Sequence, residues 1–188
     1  MTLLVAGLLA VLGVHAVPAF PALRAALVRA MGRPAYIAAF AVASTAGFVL
    51  LVWGYAVAPR GEQLFGPWVA TKHAARVVVA LAFVLVAASM MRTHLRRFLG
   101  HPGYIGVGVW AAMHLLANGH ARATLLFGAI LLYSALGFAA VLARGAGRDV
   151  VPDARFDVLA VVLGLGLAVL MMGVHWRLIG VPVVAWSF

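Results

Sequence analysis

Six long apolar runs, separated by short stretches rich in proline, glycine and charge, constrain the fold of this chain more than any other feature. The runs cover residues 3–17, 35–57, 74–91, 104–117, 123–143 and 156–174. A helix needs roughly 20 mostly apolar residues to cross a hydrocarbon core of about 30 Å, and helices satisfy their own backbone groups in lipid. The pattern therefore predicts an all-α integral membrane protein, a bundle of about six transmembrane helices.

The composition leaves little room for a separate soluble domain. Of the 188 residues, 66% are hydrophobic and 10% are charged, whereas soluble domains carry about 25% charged residues. The first and fourth runs are short for a full crossing, so we expect flanking turns to extend them. We predict a single transmembrane domain over residues 1–188, with the lipid bilayer as its principal partner.

The formal charge of +10 fits membrane topology better than nucleic-acid binding. The basic residues stand singly or in pairs between apolar runs, without the aromatic interleaving of a nucleic-acid surface, so no nucleic-acid partner is expected. Nine lie in the loops on one side: Arg24, Arg29, Arg33, Arg92, Arg96, Arg97, Arg144, Arg148 and Arg155. Five lie on the other side: Arg60, Lys72, Arg76, Arg122 and Arg177. The positive-inside rule places the first side in the cytoplasm and both termini outside.

Two shortages in the composition narrow the possible chemistry. The chain has no cysteine, which excludes disulfides, iron–sulfur clusters and thiolate-ligated haem. Its four acidic residues stand at or near loops, so no pair of intramembrane carboxylates is expected for proton transfer or acid–base catalysis. A bound metal would therefore be held by histidine or oxygen ligands.

The seven histidines fall into two classes. His15 and His114 lie within apolar sequence, where a polar side chain is costly and often functional. The other five lie at run edges or near a membrane boundary, where an imidazole is readily solvated: His73, His94, His101, His120 and His175. Sequence alone leaves the roles of His73, His94, His120 and His175 open.

His15 and His114 are also expected at similar depths in the bilayer. With the first helix starting outside, His15 lies about 18 Å along it and about 12 Å from the inner face. The fourth helix starts inside, which places His114 about 16 Å from the same face. Two neutral imidazoles at one depth suit the axial positions of a haem. The alternative is that each imidazole only forms a hydrogen bond to a neighbouring group.

Two polar or aromatic residues accompany His114 on its helix. Trp110 lies one turn before it and Asn118 one turn after it, so the three side chains share a face. A histidine that binds a metal needs a partner for its other nitrogen, and Asn118 or a backbone carbonyl could provide one. Trp110 and Asn118 are therefore counted with the candidate cofactor site.

Four short segments, at residues 13–16, 52–55, 101–104 and 110–119, form a further pattern. They read Gly-Val-His-Ala, Val-Trp-Gly-Tyr, His-Pro-Gly-Tyr and Trp-Ala-Ala-Met-His-Leu-Leu-Ala-Asn-Gly. Together they resemble the NnrU family of bacterial membrane proteins, over most of the chain. The resemblance implies a location in the bacterial inner membrane, where the termini that the positive-inside rule places outside would be periplasmic. It also implies a link to denitrification through nitrite and nitric oxide metabolism.

The plant zeta-carotene isomerases are similar to that family, and their b-type haem, held between two histidines, supports cis–trans isomerisation of a polyene. The residues that match their ligands are His15 and His114, with His101 thirteen residues before the second. The resemblance implies non-covalent haem b with His15 and His114 as iron ligands. It adds Trp110 and His101 to the binding site, alongside Asn118, which helix spacing had suggested. Ala111 replaces a cysteine of the isomerases, which removes any thiolate ligand.

The implied activities are redox chemistry, haem-dependent chemistry or isomerisation of a polyene, and whether the chain is an enzyme stays open. A hydrophobic small molecule or a redox partner is the expected partner besides lipid. Residues 101–106 also resemble the cofactor motif of isoprenylcysteine-type membrane methyltransferases, which use S-adenosylmethionine. Their second signature is acidic and tyrosine-rich, whereas residues 145–156 here contain Asp149 and Asp153 but no Glu or Tyr. The third alternative is an assembly or scaffold protein whose histidines only bridge helices.

Overall fold

Helices make up most of the chain in the computed structural model, which describes residues 1–145, 148–180 and 183. The helices are α1 (Thr2–Ala16), α2 (Pro21–Met31), α3 (Arg33–Val57), α4 (Val69–Ser89), α5 (His94–Leu99), α6 (Pro102–Asn118), α7 (Ala121–Ala143) and α8 (Ala154–Ile179). The six predicted apolar runs correspond to α1, α3, α4, α6, α7 and α8. The predicted all-α fold is therefore confirmed.

Five helices in the described part of the chain are long and apolar enough to cross a membrane, namely α1 with its following turn, α3, α4, α7 and α8. The sixth, α6, has 17 residues, or about 25 Å, which is at the short end of what a crossing requires. Large apolar side chains such as Val162 and Val169 on α8 are exposed, as expected for surfaces that lipid covers. The chain is a multi-pass membrane protein.

Two shorter helices, α2 and α5, were not predicted from the apolar runs. The α2 helix carries Arg24 and Arg29, and the six-residue α5 carries Arg96 and Arg97. A search for continuous apolar sequence passes over helices that mix apolar and charged residues in this way. Proline starts α2, and Gly32, at φ +81°, ends it.

The chain forms two compact units, the first over Met1–Pro59 and the second from Arg60 onward. In the first unit α1 packs along α3 at glycine contacts. A Cβ atom at Gly7 would lie 2.5 Å from Leu51 N, and one at Gly54 would lie 2.6 Å from Leu4 N. The two backbones therefore touch directly, the kind of packing that holds helices together in lipid.

In the second unit, α4 packs against both α6 and α8, and α6 also packs against α7. Glycine again sets the closest contacts. A Cβ atom at Gly106 of α6 would lie 2.5 Å from Ala82 O, and one at Gly164 of α8 would lie 2.5 Å from Val84 Cα. These small residues let α6 and α8, which carry His114 and His175, pack closely against α4.

A strap, defined here as residues 60–68, covers the turn between α6 and α7 in the second unit. Leu64 N donates to Gly119 O at 2.8 Å, and Ala121 N donates to Glu62 O at 2.8 Å. The Gln63 side chain donates to Asn118 O at 2.9 Å. The strap thus satisfies backbone groups at the end of α6 that would otherwise lack partners.

His120 begins α7 as its N-cap. Its Nδ1 accepts a hydrogen bond from Ala123 N at 3.2 Å, which requires that this nitrogen carry no proton. Burial lowers the pKa of His120, and the nearby positive charges of Arg122 and Arg60 lower it further. The fold therefore favours the neutral form of this imidazole.

We expect this N-cap to make the protein less stable in mild acid. Because folding lowers the pKa of His120, its contribution is complete above the unfolded-state pKa of about 6.5 and is lost as the pH falls below it. A His120→Asn variant keeps a capping side chain that does not titrate, so its thermal midpoint should decline less between about pH 6.5 and 5. His73→Asn, at an exposed α4 position, is the control. Identical declines in the two variants would contradict the prediction.

Candidate functional site

The imidazole of His114 is oriented by the backbone of its own helix. Its Nδ1 lies 2.8 Å from the carbonyl oxygen of Trp110, one turn earlier in α6. A carbonyl can only accept, so Nδ1 carries the proton and donates it. In the neutral ring this leaves the lone pair on Nε2, which is the atom that can bind a metal.

Three aromatic rings surround that of His114 in the second unit. Trp110 lies 4.7 Å from it and Phe127 of α7 lies 4.9 Å from it, measured between ring centres. His175 of α8 lies 6.4 Å from it. We call Trp110, His114, Phe127 and His175 the aromatic cluster. It restricts the rotation of the His114 ring and adds a second imidazole beside it.

His15 has the same local arrangement in the first unit. Its Nδ1 lies 2.9 Å from the carbonyl oxygen of Val11, one turn earlier in α1. Phe40 of α3 packs edge-on against the ring at 5.5 Å, and the Ser44 hydroxyl lies 3.5 Å from Nε2. Each unit therefore contains a partly buried histidine whose Nδ1 donates to the preceding turn and whose Nε2 carries the lone pair with which a neutral imidazole could bind a metal.

The Asn118 side chain contacts the backbone of His114 and not its ring. Asn118 Nδ2 donates to the backbone oxygen of His114 at 2.6 Å, and the backbone oxygen of Asn118 accepts from the Gln63 side chain of the strap. Of the two partners that the sequence suggested for the His114 ring, the backbone carbonyl of Trp110 is the one observed. Asn118 instead connects the turn that carries His114 to the strap.

His101 lies at the opposite end of α6 from His114, as the N-cap of the helix. The thirteen residues between them correspond to about 20 Å along the helix axis, so the structure does not bring these two histidines together. The His101 ring packs on Tyr104 at 5.9 Å. Burial lowers the pKa of His101, and the charges of Arg96 and Arg144 add to the effect.

Four residues beside the candidate ligands were missed by sequence reasoning: Phe40, Ser44, Phe127 and His175. The first three lie within apolar runs, where no signal in the sequence marks them as neighbours of a histidine. His175 had a signal, since it is a histidine that follows Met-Met-Gly-Val. Its position near the end of a long run predicted a boundary residue, and no partner for it was predicted; the structure places it beside His114.

Residues 1–145, 148–180 and 183 contain no cluster of three or more His, Asp or Glu side chains placed to hold a metal ion. An axial haem ligand requires no such cluster, because the porphyrin supplies the remaining nitrogen ligands and each axial position takes one side chain. His15 and His114 each satisfy the local requirement for such a ligand, an imidazole whose other nitrogen is held by a hydrogen bond.

Comparison with known proteins adds one match. A family model described as NnrU protein matches residues 3–183, which include all six apolar runs. No curated protein and no solved structure matches the chain.

Proposed function

The chain belongs to the NnrU family, and from that premise we propose that it is a haem b protein of the bacterial inner membrane with His15 and His114 as axial ligands. The observation that supports this proposal is that the two imidazole rings are protonated at the same nitrogen and oriented by the same kind of hydrogen bond. Each donates Nδ1–H to the carbonyl one turn earlier. Histidines that bind metals almost always donate their other N–H to a carbonyl, a carboxylate or water.

The surroundings of the two rings also favour a flat, apolar cofactor. Phe40 packs against His15, and Trp110 and Phe127 pack against His114. Aromatic side chains of this kind exclude water and hold an imidazole in one plane. The Ser44 hydroxyl is the polar neighbour of His15 Nε2, and we expect it to turn away when that nitrogen binds iron.

A haem with two axial imidazoles supplies one-electron redox chemistry and favours electron transfer or redox sensing over gas binding. In this proposal His15 and His114 hold the cofactor, while the carbonyls of Val11 and Trp110 fix the two rings. The link to nitrite and nitric oxide metabolism is then electron delivery to a redox partner or redox regulation. Isomerisation of a hydrophobic polyene would require one histidine to leave its position, with no cysteine available to replace it.

The absorption spectrum of detergent-purified protein, produced with ample haem, tests this proposal. We expect a Soret band and, after dithionite reduction, the sharp α and β bands of low-spin haem. His15→Ala should give a high-spin spectrum, and His114→Ala should no longer give the wild-type spectrum. His73→Ala, at an exposed position on α4, is the matched control and should leave the spectrum unchanged.

A wild-type protein without a Soret band after haem supplementation would overturn the proposal. The next measurement would then be calorimetric binding of S-adenosylmethionine to the wild type and to His101→Ala. Binding that His101→Ala abolishes would favour a methyltransferase with its cofactor at the start of α6. If the protein binds neither haem nor S-adenosylmethionine, the assembly or scaffold alternative remains, in which the histidines only bridge helices.

A further inference from the structure

His175 is the one member of the aromatic cluster to which the proposed function gives no role. Its ring centre lies 6.4 Å from that of His114, and the two ring planes are inclined by 34°. Both side chains are partly buried, and they come from different helices, α6 and α8. A second partly buried imidazole beside a proposed ligand is a candidate functional group, because ionisable residues in membrane helices often mark functional sites.

We propose that His175 is a reserve ligand, able to replace His114 on the haem iron. This inference rests on the proposed function and deepens it, because it concerns the same iron. Of the three rings that contact His114 in the described residues, Trp110, Phe127 and His175, only His175 carries a nitrogen that can bind a metal.

The two rings are close enough for a nitrogen of one to take the place of a nitrogen of the other. Their centres lie 6.4 Å apart, and an imidazole nitrogen binds a transition metal at about 2 Å. The inference requires the His175 side chain to change its rotamer once the His114 ring has turned away from the iron. The hydrogen bond from His114 Nδ1 to Trp110 O favours the return of the His114 ring to its original position, so the exchange is reversible.

The exchange is balanced in electrons and protons. The bond between His114 Nε2 and iron breaks, a bond from a His175 nitrogen forms, and each nitrogen keeps or donates only its own lone pair. His114 retains its Nδ1 proton, and no oxidant or reductant is consumed. Because the chain has no cysteine, this exchange replaces one nitrogen ligand with another and so preserves low-spin iron.

Spin state in a set of full-length variants tests the inference. Electron paramagnetic resonance and absorption spectra would be recorded for the wild type, His114→Ala, His175→Ala and the double variant. We expect His114→Ala to keep most of its low-spin signal with a shifted reduction potential, and the double variant to be high-spin. The single His175→Ala variant should match the wild type at equilibrium, as should the His73→Ala control.

If His114→Ala and the double variant are equally high-spin while the wild type is low-spin, the reserve-ligand inference is overturned and the proposed function stands. If the wild type takes up no haem, the proposed function itself fails, and the two failures are thus distinguishable.

A second measurement keeps His114 in place, in case its removal prevents folding. After flash photolysis of carbon monoxide from the reduced protein, the return of the protein ligand should have two kinetic phases in the wild type and one in His175→Ala. A single phase in both proteins would also overturn the inference.

Discussion

Replacement of Gly7 by leucine is expected to lower the free energy of unfolding by about 3 kcal/mol, since overpacking a tight contact typically costs about 1–3 kcal/mol or more. A Cβ at this position would lie 2.5 Å from Leu51 N, 2.6 Å from Leu51 Cα and 2.8 Å from Leu50 C. These are backbone atoms and cannot rotate away as a side chain would. The α1 helix must therefore separate from α3, and the packing around buried Leu4 and Leu8 is lost with it.

Thermal unfolding in detergent measures this effect, and a loss of this size should lower the midpoint by about 6–12 °C in a chain of this length. The matched control is Gly13→Leu in the same helix, where a Cβ meets no atom within 4 Å. Leucine has a higher helix propensity than glycine and causes no collision at this position. The free energy of unfolding of this variant should therefore stay within about 0.5 kcal/mol of the wild-type value. Equal losses in the two variants would show that the close contact between α1 and α3 is unimportant.

Replacement of Gly119 by alanine is expected to have the second largest effect, about 3 kcal/mol, because two costs combine. The residue has φ +77°, which costs a residue with a Cβ about 1–3 kcal/mol. In addition, the Cβ would collide with Phe65 O and the Gln63 side chain of the strap. The strap must then move, and the bonds from Leu64 N and Phe65 N to Gly119 O are weakened.

A control with the same backbone strain separates these two costs. Gly32 has φ +81°, and a Cβ there would lie no closer than 4.0 Å to Pro34 Cδ. In Gly32→Ala only the conformational cost of about 1 kcal/mol should therefore remain. Thermal midpoints give the difference, and limited proteolysis within residues 60–68 reports on the strap directly. If both variants lose the same stability and the strap stays protected, the collision with Phe65 has no effect.

Much of the fold could be predicted because lipid imposes a simple rule on sequence. Apolar runs of membrane length gave α1, α3, α4, α6, α7 and α8, whereas the arginine-containing α2 and α5 do not obey that rule. The strap was not predictable either, because its hydrogen bonds join Gln63 to a residue 55 positions away. Backbone pairing at such a separation depends on how the helices pack, and local sequence does not encode it.

The candidate site, like the fold, was only partly predictable from the sequence. The spacing of Trp110, His114 and Asn118 placed them on one helix face, and the alternative of a carbonyl partner for the His114 ring anticipated the bond to Trp110 O. The neighbours from other helices, Phe127 and His175, could not be predicted. Which side chains of two helices meet depends on their crossing angle and rotation, and helical periodicity specifies neither.

The strap also has a consequence for the order of events during synthesis. Residues 60–68 leave the ribosome well before the α6–α7 turn has been synthesised. The backbone groups of Glu62 and Leu64 therefore cannot form their hydrogen bonds until Gly119 and Ala121 are present. The strap can pair with the end of α6 only when synthesis has reached α7. In a nascent chain that ends after α6, the helix that carries His114 would lack these hydrogen bonds. Binding of the proposed haem at His114 would therefore belong to the final stage of biogenesis.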